Sequence, residues 1–267
     1  MYAARPLPLP LQEHTTVFLP PRTIAVLGGI IPTNDTSITK TSLRAVPDAF
    51  VYSSCTGTWE KISGFPAGEE RGSAAVGIYG WKIILAGGMT DLELSGNRSQ
   101  NIVAVVSMFD MTSRRWKDVS DISKYLPEAR DRAGAAVVED KMYVLDGRER
   151  GQENVQGTVF VLDLCDFEAG WKVSEVRMPT PRDGVAAGIV GQKVHIFGGE
   201  GNTEAESGIF HQIEVYDTRK DRWENVGTMR TPRHGTYAMG VGKRVYVPGG
   251  GVRQSGAPIS DFDVFEL

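Results

Sequence analysis

A Gly-Gly pair recurs at Gly28, Gly87, Gly198 and Gly249, and Asp146-Gly147 keeps the place of one more copy. The steps between successive pairs are 59, 59, 52 and 51 residues. A period of this size means one supersecondary unit repeated along the chain, each copy burying its apolar face only against its neighbours. Two copies show what is held and what is free: "PRDGVAAGIVGQKVHIFGG" (181–199) and "PRHGTYAMGVGKRVYVPGG" (232–250) share their length, their alternation and little else. Backbone geometry therefore constrains the repeat, while any apolar residue of suitable volume fills its interior.

Two further series keep step with the glycines. Arg71, Arg130, Arg182 and Arg233 each stand sixteen residues before the first position of a pair, and Gln12 falls there in the first copy. Beyond each pair a polar stretch leads to an apolar run ending in Tyr52-Ser53, Phe109-Asp110, Leu162-Asp163, Tyr216-Asp217 or Phe265-Glu266. A tryptophan follows six residues after the second of these in three copies (Trp59, Trp116, Trp223) and eight after it in one (Trp171). Each copy reads as two β-hairpins, the first joined by a tight polar turn as in "AAVVEDKMYVLDG". Four strands form a sheet with two faces to cover, and radial stacking covers both while protecting the edges.

In these residues the chain resembles the kelch-repeat β-propellers. The resemblance implies an all-β chain, residues 1–267 forming a single kelch-type β-propeller of five four-stranded blades. Two departures stand out: Asp146 replaces a glycine, and five units are fewer than the six or seven of most kelch rings. The last copy ends before its tryptophan strand, and Tyr2 precedes Gln12 by ten residues as Trp223 precedes Arg233, so "YAARPLPLPLQ" is expected to close the last blade.

The same resemblance puts the loop entering the innermost strand and the loop after Gly-Gly on one ligand-binding face. It implies that Arg71, Arg130, Arg182 and Arg233 ring the channel mouth, with Gln12 completing the circle. Guanidinium forks suit carboxylate, phosphate or sulfate. Beside them stand Gly72, Asp131, Asp183 and His234, with Glu13 and His14 in the first copy. His234 and His14 are the candidate bases, and Asp131 and Asp183 the carboxylates that would orient them. His195 reads as a packed strand residue and His211 as a loop-to-strand residue. The long stretches 29–52 and 88–109 read as loops able to cover one side of the mouth, with a mobile tip at "PTNDTSITKTS".

The remaining features exclude more than they assign. A net charge of -4 gives no reason to expect nucleic acid, and no apolar run is long enough for a membrane span. Cys55 and Cys165 lack metal-ligand spacing and read as free thiols. No signal sequence is evident at the start, which favours a cytoplasmic monomer, although Asn34-Asp35-Thr36 and Asn97-Arg98-Ser99 are glycosylation sequons. No phosphate loop, dinucleotide fingerprint, nucleophile elbow or zinc motif occurs, so neither cofactor nor metal is expected. Two functions follow from these readings. One is a binding module for a polar or anionic small molecule, or for an acidic peptide or protein. The other is a cofactor-independent isomerase, epimerase, lyase or cyclase acting in the same pocket.

Overall fold

A computed structural model describes residues 4–19, 21–33, 42–94, 100–151 and 154–266. The chain divides into two compact units, residues 1–129 and 130–267. The first holds two four-stranded antiparallel meanders: β1 (Thr15–Leu19), β2 (Thr23–Leu27), β5 (Ala49–Ser53) and β6 (Thr58–Lys61), then β7 (Ala75–Tyr79), β8 (Lys82–Ala86), β11 (Val106–Asp110) and β12 (Arg115–Lys117). In the second unit, β13 (Gly134–Val138), β14 (Lys141–Leu145), β15 (Val159–Asp163) and β16 (Trp171–Val173) form one meander. Strands β17 (Ala186–Val190), β18 (Lys193–Phe197), β19 (Gln212–Asp217) and β20 (Arg222–Thr228) form the next. A third sheet joins β21 (Met239–Val241), β22 (Arg244–Pro248) and β25 (Phe262–Glu266). Among the described residues no helix is long and apolar enough to cross a membrane.

Each sequence signal has a local mechanical cause. The aromatic that ends the third strand lies directly across from the tryptophan of the fourth, as Tyr52 pairs with Trp59, Phe109 with Trp116 and Tyr216 with Trp223. Their ring centroids are 5.1 to 5.2 Å apart, the separation at which tilted aromatic pairs attract. The acid beside the aromatic shapes the turn that follows. Asp110 Oδ1 accepts from the backbone of Thr112 and Ser113, and Asp217 Oδ1 from Arg219 and Lys220. Trp171 comes two residues late because a one-turn 3₁₀ helix, Phe167–Ala169, is inserted there.

The long stretches after the first two glycine pairs are not plain loops. Strands β3 (Ile30–Pro32), β4 (Ser42–Ala45), β9 (Met89–Glu93) and β10 (Gln100–Ile102) pair in the order β10-β9-β4-β3. Ile30, Leu43 and Met89 form a small buried core beneath them, an apolar component that the polar tips conceal in the sequence. Both sequons and most of the tip "PTNDTSITKTS" lie outside the described residues.

The N-terminal strand expected to complete the third sheet of the second unit is not formed over residues 4–11. Pro6, Pro8 and Pro10 remove a backbone donor at every second residue, so one edge of this segment has no N–H groups to offer a ladder. Its Arg5 carbonyl instead accepts from Trp59 Nε1 at 3.0 Å, and Met1–Ala3 lie outside the described residues.

The two glycines of a pair do different work. The second has φ of 95 to 118° at Gly29, Gly88, Gly147, Gly199 and Gly250, a region closed to side chains. A Cβ at Gly199 would also stand 2.8 Å from the Asp183 carbonyl oxygen. The first position lies at φ of 54 to 66°, the left-handed well that Asp and Asn tolerate, which is why Asp146 fits there at φ 55°. Its Oδ1 accepts from Gly134 N at 2.8 Å. Gly199→Ala is expected to cost about 2–4 kcal/mol in denaturant unfolding. Gly191→Asn, at φ 61° with open space around its Cβ, is expected to cost less than about 1 kcal/mol.

Candidate functional site

The arginine series comes first, because the structure gives it another task. Arg71, Arg130, Arg182 and Arg233 are 0 to 1% exposed, so they do not present open forks at a mouth. Each folds back over its own sheet toward the second and third strands. Arg71 donates through Nη2 to Leu85 O at 2.9 Å and through Nη1 to Ser107 Oγ at 3.0 Å. Arg130 reaches Asp146 O at 3.0 Å and Thr158 Oγ1 at 2.7 Å. Arg182 pairs with Glu214 at 2.9 Å, and Arg233 with Val247 O at 3.1 Å and Asp263 at 2.5 Å. Their backbones join neighbouring repeats: Gly29 N donates to Arg71 O, Gly147 N to Arg182 O and Gly199 N to Arg233 O, all at 3.0 to 3.1 Å. Burial lowers Arg71 to about 10, still well above neutral pH.

Gln12 is displaced from the arginine position by one residue. Its backbone pairs with Ile30 as Gly72 pairs with Met89, Asp131 with Arg148, Asp183 with Glu200 and His234 with Gly251. Gln12 is therefore the counterpart of the residue after each arginine, and Leu11 stands where the arginine would be. The cause is the first hairpin, where Leu19 pairs with Thr23 across three residues, whereas Tyr79 pairs with Lys82 and Val190 with Lys193 across two. Glu13 confirms the shift: like Ser73 and Arg132 it has φ near 53°, and Ser73 N donates to Glu13 O at 2.8 Å. His14 is half-buried in the first unit, with Nδ1 3.2 Å from Leu11 O.

The candidate site lies in the second unit, where the inner loops of three successive repeats bring charged side chains together. Arg148 donates to both Asp131 oxygens at 3.4 Å and forms an ion pair with Asp183 at 3.0 Å. Glu200 is the hub. Its Oε1 accepts from Arg132 at 2.7 Å, and its Oε2 accepts from Ser255 N at 2.9 Å and lies 3.4 Å from His234 Nδ1. Asp131, Asp183 and Glu200 are 0% exposed, Arg148 2% and His234 7%; the Arg132 side chain, at 17%, is the most open member. His234, Asp131 and Asp183, all anticipated from the sequence, thus meet here, while His14 belongs to the other unit. Arg148, Glu200 and Arg132 were missed. The available signal was the residue after each second glycine, which is charged only at Arg148 and Glu200.

Three carboxylates face two guanidinium groups, so one more proton brings the cluster to neutrality. Burial, with Glu200 and Asp131 nearby, raises Asp183 to about 7 against the pull of Arg148 and Arg132. Burial also holds Asp146 well above the carboxylate range. Among the described residues no three His, Cys, Asp or Glu side chains are placed to hold a metal ion. In the cluster, guanidinium groups stand where a cation would. His195 is buried in β18, and His211 is exposed.

The comparisons with known proteins match this architecture. A family model described as the KLHDC2/KLHL20/DRC7 Kelch-repeats domain covers residues 95–267. The chain belongs to the kelch-repeat family. Kelch-like protein terF of Aspergillus terreus is 30% identical over 247 residues, 92% of this chain and 51% of that protein. N-acetylneuraminate epimerase of Vibrio cholerae is 31% identical over 102 residues, 37% of this chain and 25% of that one. This kelch chain thus spans about half the length of the first relative and a quarter of the second. The solved structure of YjhT superposes with a TM-score of 0.74 at 16% identity, covering 97% of this chain and 82% of that one, and shows the fold alone. The fold is an all-β kelch-type β-propeller.

Asp146 and Asp183 take up protons on folding, since their native values lie above the roughly 4 of an unfolded aspartate. The stability each contributes is full below about pH 4 and is lost as pH rises toward the native value. Asp146→Asn keeps the acceptor for Gly134 N and tolerates φ 55°. Denaturant unfolding is expected to find this variant within about 1 kcal/mol of the parent at pH 5 and more stable than it by about 1 kcal/mol or more at pH 8.

Proposed function

We propose that this propeller binds a small organic anion at the inner-loop face of its second unit, beside the cluster of Arg132, Arg148, Asp131, Asp183, Glu200 and His234. The observation that carries the reading is the burial of six ionisable side chains from three repeats in one place. A repeat joint needs no charge there: in the first unit the equivalent positions are Gln12, Ile30, Gly72 and Met89. Buried charge is costly, and side chains with perturbed protonation concentrate at functional sites. Arg132, the partly open guanidinium, is the anion contact, and His234 is the group that a bound molecule would meet as proton donor or acceptor.

A second reading, cofactor-independent proton transfer on the bound molecule, is favoured by Asp183. A carboxyl titrating near 7 close to a histidine-glutamate pair is suited to giving and taking a proton at neutral pH. The relative named N-acetylneuraminate epimerase is consistent with both parts, since its name specifies an organic anion and an isomerisation.

The test is a thermal-shift screen of the whole chain against sugar acids, aromatic carboxylates, sulfated small molecules and acidic peptides. A saturable rise in Tm with a small anion is expected, because ligand that binds only the native state stabilises it. Arg132→Ala is expected to weaken that ligand at least about tenfold, the loss of one charge-assisted contact. A rise that survives this substitution unchanged would move the site elsewhere, and a response to peptides alone would favour the interaction-module reading. Turnover of the identified anion that is abolished in His234→Ala while binding persists would establish the enzyme.

A further inference from the structure

Strands β23 (Gly251–Arg253) and β24 (Gly256–Pro258) form an isolated two-stranded ladder with two residue pairs, Gly251 with Pro258 and Arg253 with Gly256. Such a hairpin is marginal by itself in water. Ser255 and Ala257, at φ 62° and 56°, add backbone strain that no glycine relieves. Its position therefore depends on what holds its tip. Three ties do so: Arg253 O to His234 Nε2 at 3.0 Å, Ser255 N to Glu200 Oε2 at 2.9 Å, and Gln254 N to Ser207 O at 2.8 Å. Two of the three run to the charge cluster.

We propose that this hairpin is a proton-dependent latch, held closed over the cluster while the cluster keeps one exchangeable proton and loosened when that proton leaves. The geometry of the His234 ring requires it. Nε2 faces a carbonyl oxygen, which only accepts, and Nδ1 faces a carboxylate oxygen, which also accepts when ionised. A ring with one proton satisfies one side and sets a lone pair against an acceptor on the other. One further proton, on the ring or shared with the carboxylates, satisfies both and makes the cluster of three carboxylates, two guanidiniums and one imidazole neutral. The groups that set its release are Asp131, Arg132, Arg148, Asp183 and Glu200 around the ring, with Asp146 and Arg182 behind Asp183. The protonation of Asp183 near pH 7 places the change in the neutral range. Because the latch is made of the chain's own groups, its test requires no ligand, and its failure would leave the ligand-binding reading standing.

Amide hydrogen exchange on the whole chain at pH 6 and pH 8, corrected for the intrinsic pH dependence of exchange, reads the latch directly. Protection of residues 252–257 is expected to fall about tenfold or more between the two, the loss of about one hydrogen bond, while β14 and β18 keep theirs. Equal protection of the hairpin at both values, or a parallel fall in β14 and β18, would overturn the proposal. Asp183→Asn balances the cluster with no extra proton, so its hairpin is expected to stay protected at pH 8; a fall as large as the parent's would count against the cluster as the proton's holder. His234→Gln is expected to leave the hairpin less protected than the parent at pH 6, and parental protection there would show that the ring is not the tie.

Discussion

The whole repeat turns on a missing Cβ. At the second glycine of each pair the backbone is left-handed and extended, and it lies against the carbonyl of the residue after the arginine, 2.8 Å from where a Cβ would be at Gly29, Gly199 and Gly250. The same glycine donates its N–H to the arginine carbonyl of the following repeat, as Gly199 does to Arg233. One position thus joins a strand end, an inner loop and the next repeat. A side chain there would force all three apart, so glycine persists while neighbouring residues drift.

The buried arginines serve the inside of each sheet as the glycine serves the joint. Each guanidinium gathers acceptors from the second or third strand, and three of them lie over an aromatic ring, Phe65, Phe160 or Phe210. Removing a guanidinium from water is tolerable only with such partners. Since the arginines and glycines carry the mechanics, the residue after each of them is free to vary. In the second unit those free positions hold Asp131, Arg148, Asp183, Glu200 and His234, so scaffold and chemistry occupy adjacent residues of the same loop without conflict.

Much of the fold was legible in the sequence. Strand alternation, the glycine period and the aromatic pairs are local signals, and the sheets follow them closely, down to Asp146 in a glycine's place. Two elements were not legible for local reasons: the small sheet after the first two glycine pairs, whose few apolar residues are hidden between polar tips, and the one-residue shift of Gln12, caused by an extra residue in the first hairpin. The arginine series was visible but its direction was not. Spacing of sixteen places the residue at the start of a hairpin, and only the packing of its side chain shows that it turns inward rather than toward an opening.

The sequence by itself determined the all-β repeat architecture and the residue types at each joint, because steric exclusion at glycine and strand periodicity act over a few residues. Only the tertiary structure decided which charges meet. Arg132 and Glu200 are 68 residues apart and Glu200 and Ser255 are 55 apart, and no local rule links them. Their contact depends on three repeats stacking in register, and the balance of carboxylates against guanidiniums that sets the protonation of Asp183 exists only once that stacking has excluded water.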